Sequence, residues 1–124
     1  MIRFRIIFLL VSFFGFWACS SNNSLENFDK KTWVNDAKGC KNERLKYLES
    51  IEKQKETLKG LSQAQVVAIL GKPDSQELLK RNAKTFTYFV SQGLQCGSGT
   101  KDGTALIIHF GALNYVSELS RNQY

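Results

Sequence analysis

Leu58-Lys59-Gly60-Leu61-Ser62-Gln63-Ala64-Gln65-Val66-Val67-Ala68-Ile69-Leu70-Gly71-Lys72-Pro73-Asp74 contains both ends of one short helix and the point where the chain turns from helical to extended. Ser62 offers an N-cap side chain, Gln65 three residues later completes a capping box, and Leu61 is placed to pack on Val66 as a hydrophobic staple. Gly71 offers a left-handed residue past the last turn, and Pro73 prevents the helix from continuing. The stretch therefore predicts a helix from Ser62 to Leu70.

Working toward the N-terminus, Leu45, Leu48, Ile51 and Leu58 recur near helical spacing with Glu and Lys between them, which predicts a longer helix from Asn42 ending at Gly60. Before it, Asp29 can cap a short turn of helix carrying Trp33, and Asp36 to Gly39 reads as a turn. Beyond Pro73 the character changes. The runs Gln76 to Leu79, Thr85 to Val90, Thr104 to Phe110 and Tyr115 to Leu119 read as strands joined by hairpins. In two of them one face is apolar, through Phe86, Tyr88 and Val90 and through Leu106, Ile108 and Phe110. The predicted fold class is α+β: two layers, with N-terminal helices packed on a small three- to four-stranded antiparallel sheet.

The far N-terminus carries a different signal. Arg3 and Arg5 precede the apolar run Ile6 to Trp17, and the small residue Ala18 stands directly before Cys19. Crossing a bilayer core takes roughly 20 apolar helical residues, so this shorter run reads as the h-region of a signal peptide. Its layout is that of a bacterial lipoprotein, with residues 1–18 removed and Cys19 bearing a diacylglycerol thioether and an acylated (palmitate-type) amine. Phe16 and Trp17 are bulkier than the residues usual before such a cysteine. Ordinary secretion and an uncleaved anchor are the competing readings. The polar run Ser20-Ser21-Asn22-Asn23-Ser24 then reads as a flexible tether within residues 19–28, ahead of a domain over 29–124.

Loss of the leader removes Arg3 and Arg5 and lowers the formal charge from +6 to +4. Lys and Glu alternate through residues 42–59 as on a solvated helix, so nucleic acid is not an expected partner. With Cys19 committed to lipid, Cys40 and Cys96 remain as an even pair in an oxidising compartment, which favours a structural disulfide. A metal or redox pair is the alternative. It usually needs closer spacing or further ligands, and the chain holds a single histidine, His109.

No residue set spells out catalysis. His109 alternates with Ile108 and Phe110 in an apolar strand and is expected on the solvent or partly covered side of the sheet. Gly97-Ser98-Gly99 lacks the Lys-Ser/Thr and the helix of a phosphate loop and reads as a hairpin connection. Asp102-Gly103 is a turn signal, without the repeated oxygen ligands of a calcium loop. Trp33, Phe86, Tyr88, Phe89 and Phe110 read as core and cross-strand packing rather than a ligand cage. No catalytic residue, metal or cofactor is expected.

Residues 58–74, followed by an aromatic strand and a Leu/Ile/Phe strand, resemble the SmpA/OmlA (BamE-like) domain. Its signature runs glycine, apolar residue, Ser or Thr, three residues, Val, three residues, Leu or Ile, Gly, one residue, Pro. The resemblance spans Leu58 to Leu119. It implies an outer-membrane lipoprotein with a three-stranded sheet against two helices, its best-known member being an accessory subunit of the β-barrel assembly machine that contacts a partner lipoprotein and anionic phospholipid. The N-terminal piece holding Trp33 and Cys40, and the Gly-rich connection from Gly93 to Gly103 holding Cys96, are departures from the usual domain.

The expectation is a non-enzymatic, lipid-anchored interaction module at the periplasmic side of the outer membrane, with envelope proteins such as β-barrel assembly components as partners. A periplasmic inhibitor or ligand-binding module, similar to secreted inhibitors of β-lactamase, is the alternative; it requires an exposed aromatic sheet face. An envelope hydrolase would require a pocket gathering His109 with acidic or hydroxyl groups. Replacing Cys19 by Ser removes the thiol that forms the thioether, so the Cys19→Ser chain is expected to take up no radiolabelled fatty acid. Label retained on it would refute the anchor.

Overall fold

The computed structural model describes residues 24–97 and 102–124. Cys19 and the expected leader lie outside these residues. Four helices, α1 (Lys30–Asn35), α2 (Leu45–Lys53), α3 (Lys55–Leu58) and α4 (Gln63–Leu70), precede four strands, β1 (Ser75–Leu78), β2 (Lys84–Phe89), β3 (Thr104–Phe110) and β4 (Val116–Gln123). The strands form one antiparallel sheet in the order β1-β2-β3-β4. The fold is α+β, as the alternation of apolar residues predicted.

The helix start at Ser62 forms as read. The Ser62 hydroxyl accepts from the Gln65 amide at 3.3 Å, and the Gln65 side chain accepts from the Ser62 amide at 2.8 Å. Leu61 and Val66 are both buried in the same core. At the other end the structure departs from a left-handed cap. Gly71 has φ 77° and ψ −174°, a positive-φ region other than left-handed helix, and a Cβ there would come within 2.9 Å of Val34 on α1. Glycine is used for conformation and for the close approach of α1.

The long helix expected from Asn42 to Gly60 is two. The chain breaks at Gln54, whose side chain accepts from the Glu26 amide at 2.7 Å and donates to the Glu26 carbonyl at 2.9 Å. Glu26, which binds Gln54, lies within the expected tether of residues 19–28. Instead Leu25 is buried and Phe28 packs on Trp33 and Tyr47, so the domain begins at Leu25 rather than at residue 29. Leu45, expected on the apolar face, is exposed, because Arg44 turns inward at the start of α2. β4 runs to Gln123, four residues past Leu119, where its polar residues are held by the ladder to β3.

The core lies between the helices and one sheet face: Leu48, Ile51, Leu58, Val66 and Leu70 meet Phe86, Tyr88, Leu106, Ile108 and Phe110. A charged group is built into its margin. The Arg44 guanidinium donates to Asp74 at 2.6 Å, to the Phe89 carbonyl at 3.1 Å and to the Trp33 carbonyl at 2.8 Å, and lies 5.0 Å from the Trp33 ring centre. Asp74 also accepts from the amides of Lys38 and Phe89. Asp36, 1% exposed, accepts from the amides of Lys41, Glu43 and Arg44, and so caps α2 from outside the helix. Breaking a buried pair leaves a charge without a partner. Asp74→Asn is therefore expected to lower the unfolding free energy by about 3 to 5 kcal/mol in a urea titration, and a loss below 1 kcal/mol, roughly the worth of an exposed pair, would show that the pair is not structural.

Candidate functional site

The helices cover one side of the sheet, and the described residues leave the other side open. Period-two alternation places there the residues that the core does not take. The strand registers arrange them in rows across the sheet. Glu77, Thr85, His109 and Glu118 stand directly opposite one another in one row, and Ser75, Thr87, Ile107 and Ser120 in the next. A third row holds Phe89, Ala105 and Asn122, closed by Tyr124, whose ring meets that of Phe89 edge-on at 5.2 Å.

These rows enclose a shallow depression of about 380 Å3, lined by Ser75, Glu77, Thr85, Thr87, Phe89, Ile107, His109, Asn122 and Tyr124 among others. Its floor is mostly hydroxyl and aliphatic. Its single charged lining residue is Glu77. His109 sits on this side half-buried, as the alternation predicted, and its Nε2 is 2.9 Å from Ser120 Oγ.

A pocket that joins His109 to hydroxyl groups is what the hydrolase reading required, so the chemistry of the pair decides how far it goes. A serine nucleophile needs donors aimed at the developing oxyanion and a group that orients the imidazole. The amides of β3, a central strand, lie in the plane of the sheet and bond to its neighbours. Glu118, across the strand from His109, makes no hydrogen bond to it among the described residues. Among the described residues the arrangement holds a hydrogen-bonded His–Ser pair without the remaining parts of an acyl-transfer site. Among the described residues no group of three or more His, Cys, Asp or Glu is placed to hold a metal ion, and no helix is long and apolar enough to cross a membrane.

The aromatic residues divide. Trp33, Phe86, Tyr88 and Phe110 are buried, and burial pushes the Tyr88 phenol up, with Asp74 adding to the effect, so that it stays a neutral donor to the Gly71 carbonyl at 2.9 Å. Phe89 alone of the five faces the open side, with Tyr124 as its partner. The aromatic surface is an edge of the depression rather than its floor.

Cys40 and Cys96 form a disulfide, with Cα atoms 5.7 Å apart. It joins the turn Ala37–Gly39 to the turn Leu94–Cys96. Gly39 makes this approach possible: a Cβ there would lie 2.6 Å from the Phe89 carbonyl oxygen. Gln95 extends the link, donating to the carbonyls of Lys38 and Ser91 and accepting from the Tyr124 hydroxyl at 2.5 Å. The bridge thus supports, through one side chain, the aromatic wall of the depression. The sequence points to the cysteines and places His109 on this side without a catalytic role, but does not single out Tyr124, Ser120, Glu77 or Glu118. Their one sequence signal was the polar alternate set of each strand.

No protein-family model matches the chain, and neither a curated protein nor a solved structure matches it. The site must be read from its own geometry.

The disulfide closes a loop across a sequence separation of 56, which the chain-entropy account values at about 4 kcal/mol. Cys40→Ser and Cys96→Ser are expected to lower the unfolding free energy equally, with the double variant no worse than either, because one bond can be lost only once. Additive losses in denaturant titrations would contradict this.

Proposed function

We propose that this chain is a cell-envelope lipoprotein, held at the outer membrane by acyl chains on Cys19, that acts as a non-enzymatic interaction module through the open face of its sheet. The observation that carries the reading is that face. It is wide, shallow, rich in hydroxyl groups and free of covering elements among the described residues, which suits recognition of a surface better than enclosure of a small substrate. Anchoring confines the domain to the membrane surface and raises its effective concentration toward other envelope proteins. The resemblance of residues 58–119 to the SmpA/OmlA (BamE-like) domain supports a setting in outer-membrane β-barrel assembly or envelope integrity.

A second reading, a periplasmic inhibitor or ligand-binding module, draws support from the Phe89–Tyr124 edge of the depression. The two readings differ in what occupies the face.

A photo-crosslinking side chain in place of Ile107, at the centre of the open face, is expected to give discrete protein adducts in cells carrying the full chain. The same group at Glu49, on the helical side, is the control. Adducts from Glu49 and none from Ile107 would refute the assignment of this face.

A further inference from the structure

Most carboxylates of the domain are paired. Glu43, Glu49, Glu52 and Glu56 each hold a Lys or Arg, Asp74 holds Arg44, and Asp36 and Asp29 hold backbone amides. Glu26, Asp102, Glu77 and Glu118 carry carboxylates with no such partner among the described residues, and the last two lie on the sheet. Both are exposed, and among the described residues neither makes an ion pair or a hydrogen bond. They stand at the two ends of a single row, Glu77–Thr85–His109–Glu118, on the open side of the sheet. No Lys or Arg lines the depression there, although the chain carries a formal charge of +6. The open face is thus locally acidic on a basic molecule, with the aliphatic side chain of Ile107 and the hydroxyls of Thr85 and Thr87 between its charges.

We infer that this face receives an extended, basic stretch of a partner polypeptide, with Lys or Arg at positions i and i+4 and an apolar residue at i+2. The inference rests on the reading of the open face as an interaction surface and names the chemistry of its partner. The spacing supports it. Four strands place Glu77 and Glu118 three inter-strand steps apart, about 14 Å at ~4.8 Å per step. Residues i and i+4 of an extended chain are also about 14 Å apart, and i, i+2 and i+4 project to the same side. A segment lying across the strands along this row therefore brings its two cations to the two carboxylates. Its middle side chain falls between Thr85 and His109, beside Ile107. The threonine hydroxyls remain for its backbone groups, which the strand amides, engaged in their own ladder, do not serve. Among the described residues an anionic ligand finds no Lys or Arg lining the depression.

The test uses the full chain in zwitterionic micelles and the capped peptide Lys-Thr-Leu-Thr-Lys, followed by amide chemical shifts. Two comparison peptides carry Gln or Glu at both ends. The lysine peptide is expected to shift the amides of Thr85, Ile107 and His109, to bind about tenfold tighter than the glutamine peptide, and to weaken as salt is raised. Glu77→Gln with Glu118→Gln is expected to remove that difference while leaving the urea midpoint unchanged, since neither side chain holds another group among the described residues. Equal binding of the three peptides, or an unaffected double variant, would overturn the inference. Adducts from Ile107 together with no binding of the lysine peptide would leave the face standing and overturn its basic partner. Loss of the Ile107 adducts themselves would overturn the face.

Discussion

The Arg44 guanidinium is the group on which the rest of the arrangement depends. It joins the end of α1 through the Trp33 carbonyl, the entry to β1 through Asp74 and the end of β2 through the Phe89 carbonyl, while its own backbone opens α2. A planar cation with several fixed donors can satisfy three such acceptors at once, which a lysine cannot. Burying it is costly unless every donor and its counter-ion are satisfied. Asp74 meets that condition by accepting backbone amides as well as the guanidinium. The Trp33 indole N–H is buried without a hydrogen-bond partner among the described residues, and the ring is held by packing against Phe28, Tyr47 and Tyr88 and by the cation beside it.

From this point order passes outward to the open face. Asp74 holds the Lys38 amide, Gly39 lies against the end of β2, and Cys40 carries the bridge to Cys96. Gln95, next to that cysteine, fixes Tyr124. A buried ion pair on one side of the sheet and the aromatic wall on the other are therefore parts of one connected set of contacts. A small domain buries proportionally little surface, and a covalent link between two loops far apart in sequence restricts the unfolded chain where the core alone contributes least. The same link fixes the aromatic wall of the open face through Gln95 and Tyr124.

Two layers give the domain two unlike sides. The covered side carries the apolar core and holds the fold, and the open side carries hydroxyls, one imidazole and unpaired carboxylates. An open sheet face of this composition presents polar groups to water and keeps some aliphatic and aromatic surface, at Ile107 and Phe89. The first described residues pack against the helices and away from that side.

What the sequence determined by itself is whatever short-range chemistry decides. The Ser62–Gln65 box closes within one helical turn, the strands show their alternate apolar residues, and two cysteines remain to pair once Cys19 is set aside. The helix over 63–70, the antiparallel sheet and the inward face of β2 and β3 were legible for that reason. Contacts between distant residues were not. The break at Gln54 is made by Glu26, the burial of Arg44 by Asp74, and the length of β4 by its ladder to β3, none of which leaves a local mark. The candidate site belongs wholly to this second group. Glu77, Thr85, His109 and Glu118 become one row only when the registers of four strands are set, and a shift of one residue in any pair would send the face to the other side of the sheet.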